Sequence, residues 1–398
     1  MEHLSERINR MEESTTFAMA RLSKELQEQG VDIIKLTLGE PDFQTPQHIK
    51  DAAKKAIDED ETFYTPVQGN SDLITAVINK FKNENNIEYS DNQILVSNGA
   101  KHTITNIFMT IIDEGDEIII PVPYWGTYKE IVNLAHGTQV FVEGQFDNQF
   151  KITAKQLRDK ITDKTRAIFL NSPSNPTGAA YTKKEMKEIA DIVKENPKIL
   201  LVSDEIYEHL TFDGNHESFA QFDYIKDQLI LVNGVSKAYA MTGWRIGYMA
   251  APEWVTKACK KLQGQTTSGA SSISQKAAVA ALNTKSDIYK ERIEILKKRR
   301  DAVVEELRKI PELKFNIPSA TFYFFIDFSA FYGRFFENKQ INTSKDMSMY
   351  LLREAKVGLV AGSGFGVDKC LRLSFTEDVA ILKKAFDRIK NALDNLKK

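Results

Sequence analysis

The chain has 398 residues, of which 42% are hydrophobic and 27% charged, enough apolar material for a large core. This length predicts one large domain together with a smaller one. The net charge of -2, from 53 basic and 55 acidic side chains, gives no reason to expect a nucleic acid or an anionic membrane as a partner. Cys259 and Cys370 lack the spacing of metal ligands, so we expect two buried thiols in a reducing compartment.

The first residues of the chain are polar and of mixed charge, and they lack the apolar segment of a signal peptide. No apolar run approaches the length that spans a bilayer. We therefore expect a cytoplasmic protein. The first predicted helix covers residues 17–29 and stops at Gly30.

Short, continuously apolar runs follow one another between residues 93 and 250, separated by helical patterns. Strands that are covered on both faces of a parallel sheet have this pattern. The predicted strands are 93–98, 116–121, 138–142, 166–171, 199–205, 228–233 and 245–250. They predict an α/β fold, with a mainly parallel seven-stranded sheet between helices.

Two of the connecting segments have clear helical spacing. Apolar residues recur at this spacing in 104–112 and again in 186–193, where Thr182 and Glu185 form a capping-box pattern. A longer helix is predicted over 286–310, stopped by Pro311.

The last part of the chain has a different pattern, which predicts a second, smaller α+β unit. Short strands near 322–327, 357–362 and 371–375 precede a C-terminal amphipathic helix. We therefore expect a large domain of residues 47–290 and a small domain formed by residues 1–46 and 291–398.

Lys237 is the most informative single residue, because it follows the apolar strand 228–233 and is flanked by Val235, Ala238 and Tyr239. An isolated lysine is usually a solvated surface residue. In an apolar setting, however, the pKa of a lysine amine falls, and the amine becomes a nucleophile. We therefore interpret Lys237 as a reactive amine.

Arg245 lies eight residues after Lys237, between Gly243 and Gly247. A guanidinium with small neighbours can approach a phosphate closely and bind it through two parallel hydrogen bonds. A lysine nucleophile beside a phosphate-binding arginine is what a phosphorylated aldehyde cofactor requires.

Asp204 lies at the carboxyl end of the predicted strand 199–205, and ligands bind at the carboxyl ends of strands in open α/β sheets. An aspartate here could instead be a helix N-cap. An apolar strand that ends in Asp-Glu also resembles the metal-binding strand of nucleoside triphosphatases. That alternative fails, because the sequence has no G-x-x-x-x-G-K-[ST] loop and the glycines of 362–366 lack G-x-G-x-x-G spacing.

Two further turns follow predicted strands. Gly99, Ala100 and Lys101 precede a helix, where free N–H groups favour a phosphate, although many strand-helix turns contain glycine. Residues 171–178 are typical of a plain turn. Asn175 in that turn would lie beside Asp204 if the strands are ordered sequentially in the sheet.

Arg372 lies in an alternating segment, with Leu371, Leu373 and Phe375 on one face of the strand and Arg372 and Ser374 on the other. It could be an ordinary exposed strand residue. If its face lines a cleft, its guanidinium suits a planar carboxylate.

Together these motifs resemble the class I aminotransferases of the aspartate aminotransferase fold (fold type I), in particular the bacterial subgroup of aspartate and prephenate enzymes. The resemblance extends nearly from end to end. Its motifs are LGEPDF (38–43), YTPVQGN (64–70), PYW (123–125), NSPSNPTG (171–178), SDEIY (203–207), GVSKAYAMTGWRIG (234–247) and LRLSF (371–375).

The resemblance implies pyridoxal 5'-phosphate as the cofactor, bound to Lys237 as a Schiff base. It implies that Asp204 pairs with the protonated pyridine nitrogen, that Tyr207 and Asn175 bind the phenolic oxygen, and that Trp125 stacks on the ring. The implied phosphate contacts are Gly99, Ala100, Lys101, Ser236 and Arg245, joined by Tyr64 from the neighbouring subunit of a homodimer. The implied substrate contacts are Gly39, Lys101, Trp125, Asn175 and Arg372.

The implied reaction moves an amino group from an L-amino acid, with aspartate the first choice, to 2-oxoglutarate in a ping-pong cycle. The partner-subunit arginine of the dicarboxylate-specific branch has no assignable counterpart, but Lys101 matches the lysine that replaces it in the bacterial subgroup. Gly234 stands where some members have a hydroxyl residue that contacts the phosphate.

The sequence leaves other functions open. They are an aromatic-amino-acid or prephenate aminotransferase and a pyridoxal-phosphate-dependent C–S β-lyase. Transcription regulators with an aminotransferase-like module fuse it to a DNA-binding domain, for which residues 1–46 are too short and not basic enough. The six histidines show no H-E-x-x-H spacing, so we expect no metal.

Overall fold

The computed structural model describes residues 3–212, 216–284 and 287–397. Ser286, where the predicted long helix begins, lies outside these residues. The helices are α1 (Glu6–Asn9), α2 (Thr15–Glu28), α3 (Gln47–Asp58), α4 (Ser71–Asn85), α5 (Ala100–Ile111), α6 (Thr127–Leu134), α7 (Ala154–Arg158), α8 (Lys183–Glu195), α9 (Glu253–Thr266), α10 (Ser272–Leu282), α11 (Asp287–Leu307), α12 (Ser344–Tyr350) and α13 (Val379–Asp394).

The strands are β1 (Ile34–Lys35), β2 (Ile94–Ser97), β3 (Glu117–Val122), β4 (Thr138–Glu143), β5 (Thr165–Asn171), β6 (Leu200–Asp204), β7 (Leu229–Gly234), β8 (Gly247–Ala250), β9 (Lys314–Phe315), β10 (Tyr323–Asp327), β11 (Phe335–Phe336), β12 (Lys339–Gln340), β13 (Val357–Gly358), β14 (Val360–Ala361) and β15 (Cys370–Ser374). In the described chain, β2 to β8 form a seven-stranded sheet in the order β2-β8-β7-β6-β5-β3-β4. The predicted α/β fold is thus confirmed, and each predicted strand of this sheet lies within two residues of the observed one.

The sheet is mainly parallel, as predicted, but β8 runs antiparallel to both of its neighbours, β2 and β7. The sheet has a hydrophobic core on each of its two faces. Successive side chains of β2 enter different cores, Leu95 on one face and Val96 on the other. Phe108 of α5 covers the first face and Met186 of α8 the second. The capping box of Thr182 and Glu185 begins α8 as expected.

A third core lies outside this sheet, where α11 and α13 pack on the antiparallel sheet β14-β15-β10-β9. The predicted strand 357–362 is wrong in one respect, because it consists of two strands in different sheets. β13 pairs with β1, whereas β14 pairs with β15. The pairing of β1 with β13 joins the N-terminal segment to the C-terminal elements, a point that the sequence left undecided.

Cys259 and Cys370 are buried free thiols, as predicted. In the part of the chain that the structure describes, no helix combines the length and the apolar character that crossing a membrane requires.

A buried ion pair connects α4 to the turn after β6. The Lys80 ammonium contacts the Glu208 carboxylate, and the two residues are 3% and 5% exposed. Lys80 also donates to Asn85 Oδ1 at 2.7 Å, and Glu208 accepts from Asn233 Nδ2 at 2.6 Å. Burial raises the pKa of Glu208, but Lys80 and two histidines outweigh burial and lower that pKa to about 2.

We expect Lys80→Met to lower the free energy of unfolding by about 3–5 kcal/mol, because the buried Glu208 carboxylate loses its cation. Urea denaturation followed by circular dichroism measures the change. The matched control is Lys82→Met on the same helix, because Lys82 forms an exposed pair with Glu88 at 2.9 Å and its loss should matter little. Equal losses in the two variants would contradict the role of the buried pair.

Candidate active site

A cavity of about 560 Å³ lies beyond the carboxyl ends of β5, β6 and β7 and beside the start of α5. Parallel strands bring residues that are distant in sequence to this edge of the sheet. The predicted site residues that line the cavity are Gly39, Ala100, Lys101, Trp125, Asn175, Asp204, Tyr207, Ser236, Lys237, Arg245 and Arg372. The structure therefore brings together the residues that the separate motifs indicated.

Lys237 is half-buried at the wall of this cavity, and its amine donates a hydrogen bond to the Gly39 carbonyl. Burial lowers the pKa of Lys237 to about 8, helped by the charges of Arg372 and Arg245 and opposed by Glu40 and Asp204. About a tenth of this amine is therefore uncharged at pH 7, far more than for a lysine with the ordinary pKa of 10.5, and the uncharged form is the one that acts as a nucleophile or base.

Asp204 is 2% exposed at the end of β6. Its carboxylate accepts hydrogen bonds from the Tyr128 hydroxyl at 2.7 Å and from the Ile206 N–H at 3.1 Å. Burial raises the pKa of Asp204 to about 6, although both hydrogen bonds act in the opposite direction. A cationic ligand group beside Asp204 would supply the opposite charge that its neutral partners do not.

The start of α5 and the Arg245 side chain form a positive corner of the cavity. Gly99 has φ of 90°, and a Cβ atom at this position would collide with the Arg245 guanidinium, so only glycine fits. Arg245 Nη1 donates to the Thr242 carbonyl at 2.7 Å. Ser236 is buried nearby, and the free N–H groups of α5 begin at Ala100. These groups suit a phosphate.

Arg372 is 1% exposed, so the alternative of an ordinary exposed strand residue is excluded. Its Nη1 donates to Asn175 Oδ1 at 3.0 Å and its Nη2 to the Thr37 carbonyl at 2.7 Å. Its Nε is buried without a hydrogen-bond partner among the described residues. Since its neighbours are neutral, the guanidinium can take an anionic ligand from the cavity.

Lys101 lies between two aromatic rings at the outer part of the cavity. Its amine is 4.7 Å from the centre of the Trp125 ring and 5.6 Å from that of Phe17. Burial, and then the charge of Arg245, lower the pKa of Lys101. The Lys101 cation is thus available to an anion that enters between the rings.

Tyr64 does not line this cavity, and it is 99% exposed in the described chain. It lines a separate surface pocket with Phe63 and residues 269–273. Its predicted contribution from a neighbouring subunit stays a prediction.

Sequence reasoning missed two tyrosines of the site. Tyr128 donates a hydrogen bond to the Asp204 carboxylate. The sequence could have indicated Tyr128, because it follows Trp125 by three residues on the first turn of α6 and so faces the same region. The Tyr323 hydroxyl lies 3.0 Å from that of Tyr207, and the Arg372 guanidinium stacks 4.6 Å from the Tyr323 ring centre. Only the pairing of β10 with β15 brings Tyr323 there, and the sequence does not predict that register.

A nucleophilic amine, a buried acid and two arginines in one cavity define an enzyme active site for an anionic ligand. The family described as "Aminotransferase class I and II" matches residues 31–389, and the chain belongs to this family.

Relatives and solved structures agree with this assignment. An aspartate aminotransferase of Bacillus subtilis is 44% identical over 396 residues, 98% of this chain and 99% of that protein. A "probable aspartate/prephenate aminotransferase" of Rickettsia typhi is 44% identical over the full length of both chains. The crystal structure of an aspartate aminotransferase from Rhizobium meliloti has a TM-score of 0.96 and 40% identity and covers 100% of both chains. The chain is therefore an aminotransferase, of a family that generally depends on pyridoxal phosphate.

The raised pKa of Asp204 has a consequence for stability in the protein without cofactor. The folded state binds the Asp204 proton more tightly than the unfolded state, whose pKa is near 3.8. The resulting penalty is absent below pH 3.8 and complete above about pH 6.

We therefore expect Asp204→Asn to raise the free energy of unfolding by about 1–3 kcal/mol above pH 6, because the amide carries no charge to bury. Near pH 4 the variant and the wild type should be equally stable. Chemical denaturation across this pH range measures the difference. A variant that is less stable than the wild type above pH 6 would contradict the burial penalty.

Proposed function

We propose that this enzyme transfers the amino group of L-aspartate to 2-oxoglutarate, with pyridoxal 5'-phosphate bound through Lys237. Prephenate is a second candidate acceptor. The observation that carries the proposal is the Lys237 amine, with a pKa of about 8, in one cavity with the Asp204 acid and the Arg245 and Arg372 guanidiniums. The names of the relatives from Bacillus subtilis and Rickettsia typhi support this choice of substrates.

The residues of the cavity fit this cofactor. Asp204, whose partners are neutral, would receive the protonated ring nitrogen, and Tyr207 and Asn175 would bind the phenolic oxygen. Trp125 would stack on the ring. The phosphate would bind at Gly99, Ala100, the backbone N–H of Lys101, Ser236 and Arg245, where α5 begins and a Cβ atom at position 99 has no space.

When bound, pyridoxal phosphate supplies an electron-withdrawing ring that accepts the electron pair of the broken Cα–H bond. Asp204 would keep the proton on the ring nitrogen, since a buried carboxylate stabilises an adjacent cation. The Lys237 amine would take the proton from the substrate Cα and hold it beside the reacting atoms, and its lowered pKa suits it to act as a base near neutral pH.

Substrate orientation would follow from two cations that line the cavity. Arg372 would bind the α-carboxylate through its fork of N–H groups. Lys101 would bind the second carboxylate of aspartate or 2-oxoglutarate. The rings of Trp125 and Phe17 beside Lys101 also suit the ring of prephenate, which supports this second acceptor.

The proposal includes a homodimer. The Phe63 and Tyr64 side chains are 82% and 99% exposed, and such adjacent apolar groups favour burial in an interface. Tyr64 would then bind the phosphate in the partner's cavity. We further propose that residues 47–290 form the large domain and residues 1–46 and 291–398 the small domain, which is consistent with the separate core around α11 and α13.

The lysine assignment has a direct test. The purified protein should show a visible absorbance band that borohydride removes, and Lys237→Ala should lose both the band and nearly all amino-group transfer, because the covalent attachment and the base are lost together. Transfer from aspartate to 2-oxoglutarate, measured by chromatography of the amino acids, is the readout. Full transaminase activity in the variant would exclude the assignment. A wild-type enzyme that transfers no amino group but releases pyruvate, ammonia and a thiol from a thioether amino acid would favour the lyase.

The dicarboxylate role of Lys101 predicts a selective loss. Lys101→Met should lower kcat/KM for aspartate about tenfold or more, because a charge-assisted contact is worth at least about 1.5 kcal/mol. Its activity on an aromatic amino acid should change little. Lys129→Met is the matched control, since the Lys129 amine pairs with Glu12 at 3.2 Å outside this cavity. Equal losses on both substrates would instead indicate phosphate binding.

A further inference from the structure

The segment of residues 39–45, here called the covering segment, lies over the Lys237 turn. The described structure contains neither helix nor strand in it. Four hydrogen bonds join it to residues 237–244: Lys237 amine to Gly39 carbonyl, Thr242 hydroxyl to Glu40 carboxylate at 2.8 Å, Thr45 hydroxyl to Ala240 carbonyl at 2.6 Å and Trp244 Nε1 to Thr45 hydroxyl at 3.2 Å.

Arg292 on α11 binds both the lysine turn and the covering segment. Its Nη1 donates to the Ala238 carbonyl, directly after Lys237, at 2.7 Å. Its Nη2 donates to the Gln44 carbonyl of the covering segment at 2.9 Å. The Arg292 side chain is 9% exposed, so these bonds are shielded from water. One planar guanidinium therefore fixes the distance between the lysine turn and the covering segment.

Arg299 repeats this contact two turns later on the same face of α11. Its two terminal nitrogens donate to the two carboxylate oxygens of Asp42 at 2.8 Å each, and Nη2 also bonds Asp378 at 3.2 Å. The Phe43 ring stacks against both guanidiniums, 5.2 Å from Arg292 and 5.8 Å from Arg299. The covering segment is thus held to α11 at Asp42, Phe43 and Gln44.

We infer that Arg292 and Arg299 are positioning residues that hold the covering segment, and with it the Gly39 carbonyl, against the Lys237 amine. Neither guanidinium contacts the cavity itself, so both act through the segment. The inference rests on the proposed function of Lys237. It adds that α11 sets the environment of the reactive amine, although no described residue of α11 lines the cavity.

The expected effect on Lys237 follows from the groups around it. Burial is the largest influence on the pKa of Lys237 and lowers it, as do Arg372 and Arg245, whereas Glu40 and Asp204 raise it. If the covering segment loosens, water reaches the amine and the largest influence weakens. The pKa of Lys237 should then rise from about 8 towards the ordinary value of 10.5, although the departure of Glu40 reduces the rise.

The test is pH-dependent trace acetylation of Lys237 in the full chain freed of cofactor, with the labelled peptide quantified by mass spectrometry. Arg292→Lys keeps the charge but replaces two separate nitrogens in a rigid plane by a single ammonium, so the distance between the two carbonyls is no longer fixed, and the labelling midpoint of Lys237 should rise by about one pH unit. Amide hydrogen exchange at residues 39–45 should become faster in the same variant. Lys298→Gln removes an exposed charge from the same helix and should leave both readouts unchanged.

A folded Arg292→Lys protein with the wild-type labelling midpoint and wild-type exchange at 39–45 would overturn the inference. If that variant does not fold, Arg299→Lys replaces it with the same two outcomes. The wild-type transaminase assay separates this result from the proposed function. A shifted midpoint in a protein whose wild type transfers no amino group would refute the function and leave the positioning role intact.

Discussion

The site depends on the burial of two ionisable groups, Lys237 and Asp204, because burial disfavours the charged form of each. The same cavity lowers the pKa of Lys237 to about 8 and raises the pKa of Asp204 to about 6, because desolvation disfavours an isolated charge of either sign. Each group is therefore held nearer neutrality than in water. A ligand that brings a cation to Asp204 and anions to the arginines offsets the free-energy cost of desolvating these groups. The same desolvation therefore favours ligand binding and makes the Lys237 amine reactive.

The three carboxylates at the end of β6 and in the turn after it differ in their partners. Glu205, beside Asp204, accepts hydrogen bonds from the Ser203 and Ser218 hydroxyls at 2.9 and 3.1 Å and contacts His216 on the other side of the turn. Glu208 has Lys80 as its cation. Glu208 thus has a cation and Glu205 has several hydrogen-bond partners, whereas Asp204, which lines the cavity, accepts from one hydroxyl and one backbone N–H. Ion pairing behind the turn fixes the backbone from which Asp204 reaches the cavity.

The sequence predicted what local pattern determines. Continuous apolar runs indicated the strands of the sheet, and polar residues at their carboxyl ends, such as Asp204 and Asn175, indicated the edge where the cavity lies. Contacts between segments more than two hundred residues apart were not predictable, because no local pattern specifies which arginine of a helix meets which carbonyl. The sequence therefore predicts only that Arg292 and Arg299 lie on a long helix, and it does not indicate their contacts with the covering segment. Likewise, the burial of Arg372 required the pairing of β15 with β10.

The two cations that contact the substrate in the proposed function differ in a way that matters for selectivity. Arg372 is fixed by Asn175, Thr37 and the stacked Tyr323 ring, so its fork has one orientation and suits the α-carboxylate that all amino acids share. Lys101 has a flexible stem and a single ammonium between aromatic rings. Such a cation can follow carboxylates at different distances from Cα. A rigid arginine and an adaptable lysine therefore allow both a short dicarboxylate and a longer cyclic one in one cavity.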